Sequence, residues 1–326
     1  MGSRIIEFFG YAPDDISDAA KDARNNLHCP FINTSCQKTL NDGLISGACT
    51  LKPATSGPVI CCPIRLYAND YSVLLDIAKM AFGPDIEIFS GDGVKHAAIA
   101  PGKSKVVVFG KRWGKELRLP SRAGGGGSYY VDWVLALLNS NDELEEFIAV
   151  EVQSIDTTGN YRAERLAYLA GKEFLGKTTA GLNWENVSKR ILPQLIYKGH
   201  VLRGERLCKK GLFFICPLPV CTKIRERLGD KLNEYEMQPG SLTLVWYDIG
   251  PLSQEGHIRT LEMLGTFTTT VDQIALAFTA PIIYQRVEST SRLSDQCSSL
   301  MIKISLWIVA KTCGGSDRLT PAPNVF

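Results

Sequence analysis

The centre of the chain carries two apolar stretches, which read YVDWVLALL at residues 130–138 and FIAVEVQ at residues 147–153. Both are rich in β-branched and aromatic residues and have turn-forming neighbours, so each is predicted to form a β-strand. The chain as a whole predicts further strands at 86–89, 105–109, 115–119, 212–215, 242–247 and 261–270, and helices at 13–27, 71–82, 161–174, 184–202, 271–278 and 298–309. These elements predict a mixed α/β fold class, with one central sheet and helices packed on it.

Acidic residues occupy both central stretches. Side chains at positions i and i+2 of a strand point to one face, so Glu151 and Gln153 are predicted to project together while Val150 and Val152 enter the core. Asp132, on the neighbouring strand, is predicted to meet Glu151 and to form a site for a hard divalent cation such as Mg²⁺. The alternative is an exposed carboxylate that ends an ordinary strand.

The overall composition is that of an ordinary globular protein of 326 residues, 45% hydrophobic and 21% charged, with a formal net charge of +2. This charge does not by itself indicate a nucleic-acid binder, so the distribution of the basic residues has to decide that question. No apolar run reaches the roughly 18 to 20 residues of a membrane helix, and the opening residues lack the apolar stretch of a signal peptide. A cytoplasmic location without membrane contact is therefore expected.

Ten cysteines are many for a reducing compartment, in which disulfides rarely persist. Five of them crowd one N-terminal segment, at positions 29, 36, 49, 61 and 62, and the other five are predicted to be small buried hydrophobic residues. The segment from Cys29 to Arg65 is rich in Gly, Pro, Ser, Thr and Asn and shows no lasting periodicity. We therefore expect no core built from its own side chains, and a bound metal would explain how it holds a shape.

Several further motifs follow one another along the chain. They are IEFFG at 6–10, CPF at 29–31, SCQK at 35–38, GAC at 47–49, CPIR at 62–65, GKEL at 114–117, and NVSKR at 186–190 leading into Tyr197-Lys198. Together with Val131-Asp132-Trp133 and Glu151-Val152-Gln153, this ordered set resembles the NotI family of restriction endonucleases over roughly residues 5 to 200. The acidic centre is similar to the PD-(D/E)xK nuclease motif, with Val131 in the Pro place. Gln153 stands in the Lys place, as expected of the family's ExQ variant.

The resemblance implies a type II restriction endonuclease with a PD-(D/E)xK core, which uses Mg²⁺ to hydrolyse phosphodiester bonds in both strands of a GC-rich palindrome. It assigns the catalytic set to Asp132, Glu151 and Gln153, with Glu116 as a further acidic member for which a surface salt bridge is the alternative. Double-stranded DNA is the expected partner, and cutting a palindrome favours a homodimer. A bacterial host and a cognate DNA methyltransferase, not stably bound, are also implied.

The resemblance further implies a structural metal, iron rather than zinc, held by four thiolates. The matching positions are Cys29, Cys36, Cys49 and Cys62, with Cys61 as the competitor of Cys62 and His28 as an alternative ligand. Thiolates are soft ligands that suit either iron or tetrahedral Zn²⁺. The predicted domain organisation is an N-terminal helical and four-cysteine segment at 1–83, followed by a nuclease core with the DNA-recognition elements at 84–326.

Two basic regions flank the acidic centre. Lys95 to Arg122 holds eight Lys or Arg against one acidic residue, and Lys189 to Arg227 holds ten against two. Such regions suit a DNA duplex, whose phosphates need neutralising away from the cut. The candidate DNA-binding residues are Lys189, Arg190, Lys198 and Arg203, for each of which a solvated helix face is the alternative.

Two other functions fit the same residues. One is a repair or modification-dependent nuclease on the same core, which differs in its substrate. The other is a catalytically inactive cysteine-metal protein that binds DNA or regulates, an alternative kept open because Gln153 lacks the charge of Lys. A phosphate-loop NTPase is excluded because residues 110–115 lack the spacing and the closing Ser or Thr of that motif.

Overall fold

The computed structural model describes residues 2–91, 99–110, 113, 117–119, 129–229, 232–252 and 254–280 of the chain. Met1–Ala277 forms one compact unit, and of a second unit, Phe278–Phe326, the described residues are 278–280, which are helical. Across the described ranges, no helix combines the length and the apolar character that crossing a membrane requires. Glu116 and the predicted helix at 298–309 lie outside the described residues.

The N-terminal part of the chain contains short strands and two helices. They are β1 (Arg4–Phe8), α1 (Asp18–Asn25), β2 (His28–Cys29), β3 (Thr34–Ser35), β4 (Ala48–Lys52), β5 (Val59–Ile60) and α2 (Ala68–Phe82). Strands β1, β4 and β5 form an antiparallel sheet, and β2 pairs with β3. Helix α1 begins at Ser17, whose Oγ accepts a hydrogen bond from Ala20 N, and α2 ends at Gly83, whose φ of +95° favours glycine.

The remaining elements continue to the end of the described residues. They are β6 (Ile86–Ser90), β7 (Ser104–Gly110), β8 (Leu117–Leu119), β9 (Tyr129–Val131), β10 (Trp133–Leu138), β11 (Leu144–Val152), β12 (Thr157–Thr158), α3 (Arg162–Leu169), β13 (Gly181–Leu182), α4 (Leu192–Arg203), β14 (Leu212–Pro217), α5 (Leu218–Leu228), β15 (Ser241–Ile249) and β16 (Leu261–Thr270). A π-helical turn at Val187–Ile191 leads into α4, and a further helix starts at residue 271.

Seven of the described strands form one central sheet in the order β16-β15-β14-β11-β10-β7-β6. Strands β11, β14 and β15 run parallel, as do β6 and β7, and the other neighbours are antiparallel. Strand β11 therefore lies in the middle of the sheet, with β10 on one side and β14 on the other. The predicted mixed α/β class with one central sheet is confirmed.

Alternate residues of the central strands enter two different layers. Val150, Phe213 and Ile215 belong to the core that β1, β4 and α2 share, whereas Phe214 is buried on the opposite face. That opposite face is covered by α4 and α5, which contact β14 and β15. Glu151 follows Val150 along β11, so strand alternation directs its side chain toward the α4 face.

Most predicted elements are confirmed, because apolar strands and periodic helices depend on local sequence. The predicted strands at 86–89, 105–109, 212–215, 242–247 and 261–270 correspond to β6, β7, β14, β15 and β16. The helix predicted at 184–202 contains the π-helical turn at Val187–Ile191 and α4, which meet next to Pro193. Helix α3 is shorter than predicted and ends at Leu169.

The structure differs from the sequence-based picture, or adds to it, at three points. The segment from Cys29 to Arg65 shares the main core: Leu51 and Ile60 are fully buried, because β4 pairs with β1, a strand far away in sequence that was missed. The strand predicted at 130–138 is interrupted at Asp132 and forms β9 and β10. Helix α5 was also missed, because Pro219 in its first turn resembles a helix breaker although this position tolerates proline.

A fully buried ion pair joins the N-terminal sheet to the segment after β5. Arg65 Nε donates to Glu7 Oε2 at 3.0 Å, and Arg65 Nη2 donates to Glu7 Oε1 at 3.1 Å and to the carbonyl oxygen of Arg259 at 2.7 Å. Both side chains have 0% of their surface exposed. Thr50 Oγ1 also donates to Glu7, and the Arg65 guanidinium lies 4.8 Å from the centre of the Phe31 ring.

We expect Arg65→Met to lower the free energy of unfolding by about 3–5 kcal/mol, because Glu7 would remain buried without its counter-charge. The double variant Glu7→Gln/Arg65→Met should recover much of this loss. Urea unfolding of the parent and the variants measures the difference.

The control is Arg162→Met, which breaks the half-exposed pair between Arg162 and Asp42 and should cost at most about 1 kcal/mol. An Arg65→Met variant as stable as Arg162→Met would show that the buried pair is not needed for folding.

Candidate active site

Strand register brings the two predicted acidic residues together. In the antiparallel pair β10–β11, Trp133 lies opposite Val150. Continuing this register by one residue places Asp132 opposite Glu151, and side chains of directly opposed residues lie on the same face about 5 Å apart. The Asp132 Oδ2 atom accepts a hydrogen bond from Val152 N at 2.9 Å. The Asp132 side chain therefore replaces a backbone acceptor where the β10–β11 pairing ends. This places Asp132 beside Glu151.

Glu151 is buried and forms an ion pair with a residue of helix α4. Only 8% of Glu151 and 6% of Lys198 is exposed, and Lys198 Nζ lies 2.6 Å from Glu151 Oε1. Burial raises the pKa of Glu151 to about 8, with a further increase from the neighbouring Asp132 and an opposing effect of Lys198. Glu151 therefore has an environment in which protonation and cation binding compete near neutral pH.

Asp132 and Glu151 line a cavity of about 570 Å³, together with Gln153. Its remaining walls come from the N-terminal segment, which contributes Lys38 and Cys61, and from the helical segment that carries Lys198. The structure thus brings the predicted Asp, Glu and Gln into one cavity. Glu116, the fourth predicted acidic residue, lies outside the described residues.

One wall of the cavity is a row of polar side chains on the helical segment. Arg190, Gln194 and Lys198 all line the cavity and follow one another at intervals of four residues, the spacing of one helix face. Sequence analysis selected Arg190 and Lys198 only as DNA-binding candidates and missed Gln194. The spacing of four was visible, but only the tertiary contact between Lys198 and Glu151 shows that this face covers Glu151.

The other predicted DNA-binding residues lie on the surface in ion pairs. Lys189 pairs with Glu185, and Arg203 Nη1 lies 2.5 Å from Asp272 Oδ2. Both basic side chains are more than half exposed.

Arg190 links the row to the mouth of the cavity. Its Nη1 lies 2.7 Å from Oδ2 of Asp156, which also lines the cavity. The structure therefore gathers Arg190 and Lys198 at one site and leaves Lys189 and Arg203 at the surface.

An aromatic cluster adjoins the acidic pair. Trp133 Nε1 donates to the Tyr67 hydroxyl at 3.1 Å, and Tyr71 stacks on Tyr67 with ring centres 5.0 Å apart. Burial raises the pKa of Tyr67, and the nearby Asp132 raises it further.

The turn before this cluster has an unusual backbone. Asn69, Asp70 and Tyr71 all have φ between +53° and +59°, a conformation that residues other than glycine rarely adopt. No pattern in the sequence predicted this strained turn.

Three of the N-terminal cysteines lie around the thiol of a fourth, Cys49. Burial raises the pKa of Cys49, and the neighbouring Cys62, Cys29 and Cys36 add to this effect together with Glu7. All four cysteines are buried. Within the described ranges, however, no group of three or more His, Cys, Asp or Glu side chains is close enough to form a metal site as it stands.

Cys61 has different neighbours from the other N-terminal cysteines. Its Sγ accepts a hydrogen bond from Lys38 Nζ at 3.0 Å and lies 3.4 Å from the carbonyl oxygen of Cys49. Lys38 Nζ also donates to the carbonyl oxygen of Cys61 at 2.9 Å. Cys208, Cys216 and Cys221 are buried as predicted, whereas Cys297 and Cys313 lie outside the described residues.

The fold and the cavity define a mixed α/β protein whose paired carboxylates suit metal-assisted hydrolysis. Residues 14–212 match the family model described as restriction endonuclease NotI, and this range is more than half of the chain. The protein belongs to this family. Membership implies a site-specific restriction endonuclease whose substrate is DNA. No curated protein matches the chain.

We expect the stability of the metal-free protein to fall as the pH rises from about 5 to about 8. The pKa of Glu151 is raised from 4.5 to about 8 in the folded state, so the unfolded chain binds fewer protons in this window. Glu151→Gln should flatten this part of the pH dependence. Urea unfolding in EDTA, at pH values between about 5 and 9, measures it.

Glu146→Gln is the control, because Glu146 is a buried glutamate of the same strand that pairs with Lys210 outside the cavity. Equal slopes for the parent and for Glu151→Gln would mean that Glu151 does not titrate in this window.

Proposed function

We propose that the protein is a type II restriction endonuclease that uses Mg²⁺ to cut both strands of DNA at a specific sequence. The observation that carries this proposal is the opposition of Asp132 and Glu151 across β10 and β11, in a cavity that also contains Gln153. All three residues fall within the range that matches the restriction endonuclease family. A PD-(D/E)xK core is part of the proposal.

The donor set fits the proposed catalytic ion. Asp132 and Glu151 offer carboxylate oxygens, which Mg²⁺ prefers, and the cavity leaves room for the waters that this ion retains. When bound, Mg²⁺ supplies a more acidic water and stabilises charge on the phosphoryl group. The Gln153 amide orients a water or a phosphate oxygen. Glu116 remains a proposed further acidic member of the site.

The proposed substrate contact begins at the mouth of the cavity. Arg190 lies at this mouth in an ion pair with Asp156 and is half exposed, so it can exchange that partner for a DNA phosphate. Lys189 and Arg203 extend the positive charge along the surface. The proposal also includes a homodimer that cuts a GC-rich palindrome in a bacterial cytoplasm. A cognate DNA methyltransferase, not stably bound to the nuclease, belongs to the same system.

We propose that Cys29, Cys36, Cys49 and Cys62 hold a structural iron or zinc ion. Cys29, Cys36 and Cys62 lie around Cys49, all four are buried, and four soft sulfur donors suit either metal. The side chains must draw closer to bind an ion, because none of the described groups is tight enough as it stands. A metal segment at 1–83 followed by a nuclease core at 84–326 remains part of this proposal.

Asp132→Asn/Glu151→Gln should abolish DNA cleavage, because the proposed ion loses its charged ligands. The parent should convert unmethylated genomic and plasmid DNA into discrete fragments with Mg²⁺ and not with EDTA. Gel analysis shows the fragments, and mapping their ends gives the recognition sequence. Repeating the assay with methylated DNA distinguishes a modification-dependent nuclease.

The matched control is Asp142→Asn/Glu146→Gln. It makes the same changes at the other end of the β10–β11 hairpin, where these carboxylates pair with Lys105 and Lys210. It should cut like the parent. A parent protein that binds duplex DNA but cuts no substrate would favour the inactive DNA-binding alternative.

Cys62→Ser should lose the structural metal, whereas Cys61→Ser should keep it. The two cysteines are adjacent and both buried, but the Cys61 thiol accepts a hydrogen bond from Lys38, whereas Cys62 is among the groups that raise the pKa of the Cys49 thiol. Elemental analysis of purified protein should find about one iron or zinc ion per parent chain. If Cys62→Ser keeps the metal and Cys61→Ser loses it, Cys61 rather than Cys62 is the ligand. A metal-free parent protein would rule out the site.

A further inference from the structure

The strand that carries Glu151 does not supply a positive charge to the cavity. Gln153, two residues further on, is neutral, so any cation from the protein has to come from another element. Lys198 meets this condition, because it lines the cavity from α4 and its Nζ lies 2.6 Å from Glu151 Oε1. Its side chain is 8% exposed. A buried lysine thus stands beside the acidic pair on the face opposite to the core.

Packing fixes the position from which Lys198 reaches the site. The next residue, Gly199, lies so close to Val271 that an added Cβ would stand 2.8 Å from Val271 Cγ2. Glycine therefore allows α4 to approach its neighbour closely. The preceding π-helical turn and Pro193 define the other end. These constraints aim the row of Arg190, Gln194 and Lys198 into the cavity.

A second lysine–glutamate pair on β11 shows what a purely structural pair looks like. Lys210 Nζ lies 2.6 Å from Glu146 Oε1, the same distance as in the Lys198 pair. Neither Lys210 nor Glu146 lines the cavity, and Lys210 lies over the ring of Phe82 at 5.3 Å. Lys198 differs because its ammonium group adjoins a cavity large enough for substrate.

We propose that Lys198 is the cationic catalytic residue of this site, supplied from helix α4 instead of the strand position that Gln153 occupies. This inference rests on the proposed function, since it assumes that a DNA phosphate enters the cavity. The Lys198 ammonium group contacts a non-bridging oxygen of the phosphate that is cut.

The proposed role is electrostatic. During hydrolysis the water oxygen forms a bond to phosphorus, while the bond between phosphorus and the leaving sugar oxygen breaks. The attacking water loses a proton to solvent, and the leaving oxygen gains one from solvent. Lys198 keeps its protons throughout and stabilises the negative charge that accumulates on the phosphoryl oxygens.

Lys198→Met should slow single-turnover cleavage by about 100-fold, at saturating enzyme and Mg²⁺. Its affinity for uncut duplex DNA in EDTA should change by less than about threefold, because one phosphate contact contributes little to the whole interface. Lys198→Arg should recover about tenfold of the lost rate, since it restores the charge with a different geometry. Circular dichroism and thermal unfolding show whether each variant is folded.

Lys210→Met is the matched control. It makes the same lysine-to-methionine change and breaks an ion pair of the same length. The glutamate of that pair, Glu146, lies on β11 like Glu151 but outside the cavity. Its cleavage rate should stay within about threefold of the parent rate.

A second variant separates catalysis from folding. In Lys198→Ala, ethylammonium added to the reaction should enter the vacated space and restore part of the rate. It should restore nothing in Glu151→Ala, which lacks a proposed metal ligand. This rescue reports on the charge in the cavity and not on the stability of α4.

The outcomes separate this inference from the proposed function. If the parent cuts no DNA, the proposed function is wrong and the role of Lys198 falls with it. If the parent cuts and folded Lys198→Met cuts within about threefold of it, only the role of Lys198 is overturned. An equal loss in Lys210→Met, or a loss explained by weaker DNA binding, would also overturn it.

Discussion

The antiparallel register between β10 and β11 is the constraint on which the site depends. It places Trp133 opposite Val150 in the core and therefore Asp132 opposite Glu151 on the other face. A shift of one residue would send Glu151 into the apolar core, because successive strand residues point to opposite faces. The same hydrophobic pattern that stabilises the middle of the sheet thus fixes the acidic pair.

The N-terminal segment contributes to the structure in two ways. Its strands join the main core through β1 and β4, and the buried pair of Glu7 and Arg65 anchors the residues that follow Cys62. It also reaches the cavity, because Lys38 lines one wall while its ammonium group bonds with Cys61. A structural change in the cysteine region would therefore move Lys38 and alter the cavity that contains the acidic pair.

Much of the fold and part of the site could be predicted from local sequence. The alternation around Glu151 predicted which side chains enter the core, and Val150 and Val152 do so. The row on the helical segment could not be assigned to the cavity, because a spacing of four shows a shared helix face and not what that face covers. The sequence therefore predicted Lys198 as a DNA-binding residue without placing it in the cavity, where its ammonium group is paired with Glu151.

The sequence by itself determined most strands of the central sheet, the mixed α/β class and the acidic residues of the centre, because hydrophobic alternation and motif order are properties of the chain alone. Tertiary structure decided which distant segments meet. It joined β1 to β4, brought Lys38 to the cavity, and set Lys198 beside Glu151 from a position 47 residues further along the chain. The physical reason is that burial of charged groups requires partners, and packing of whole elements selects those partners.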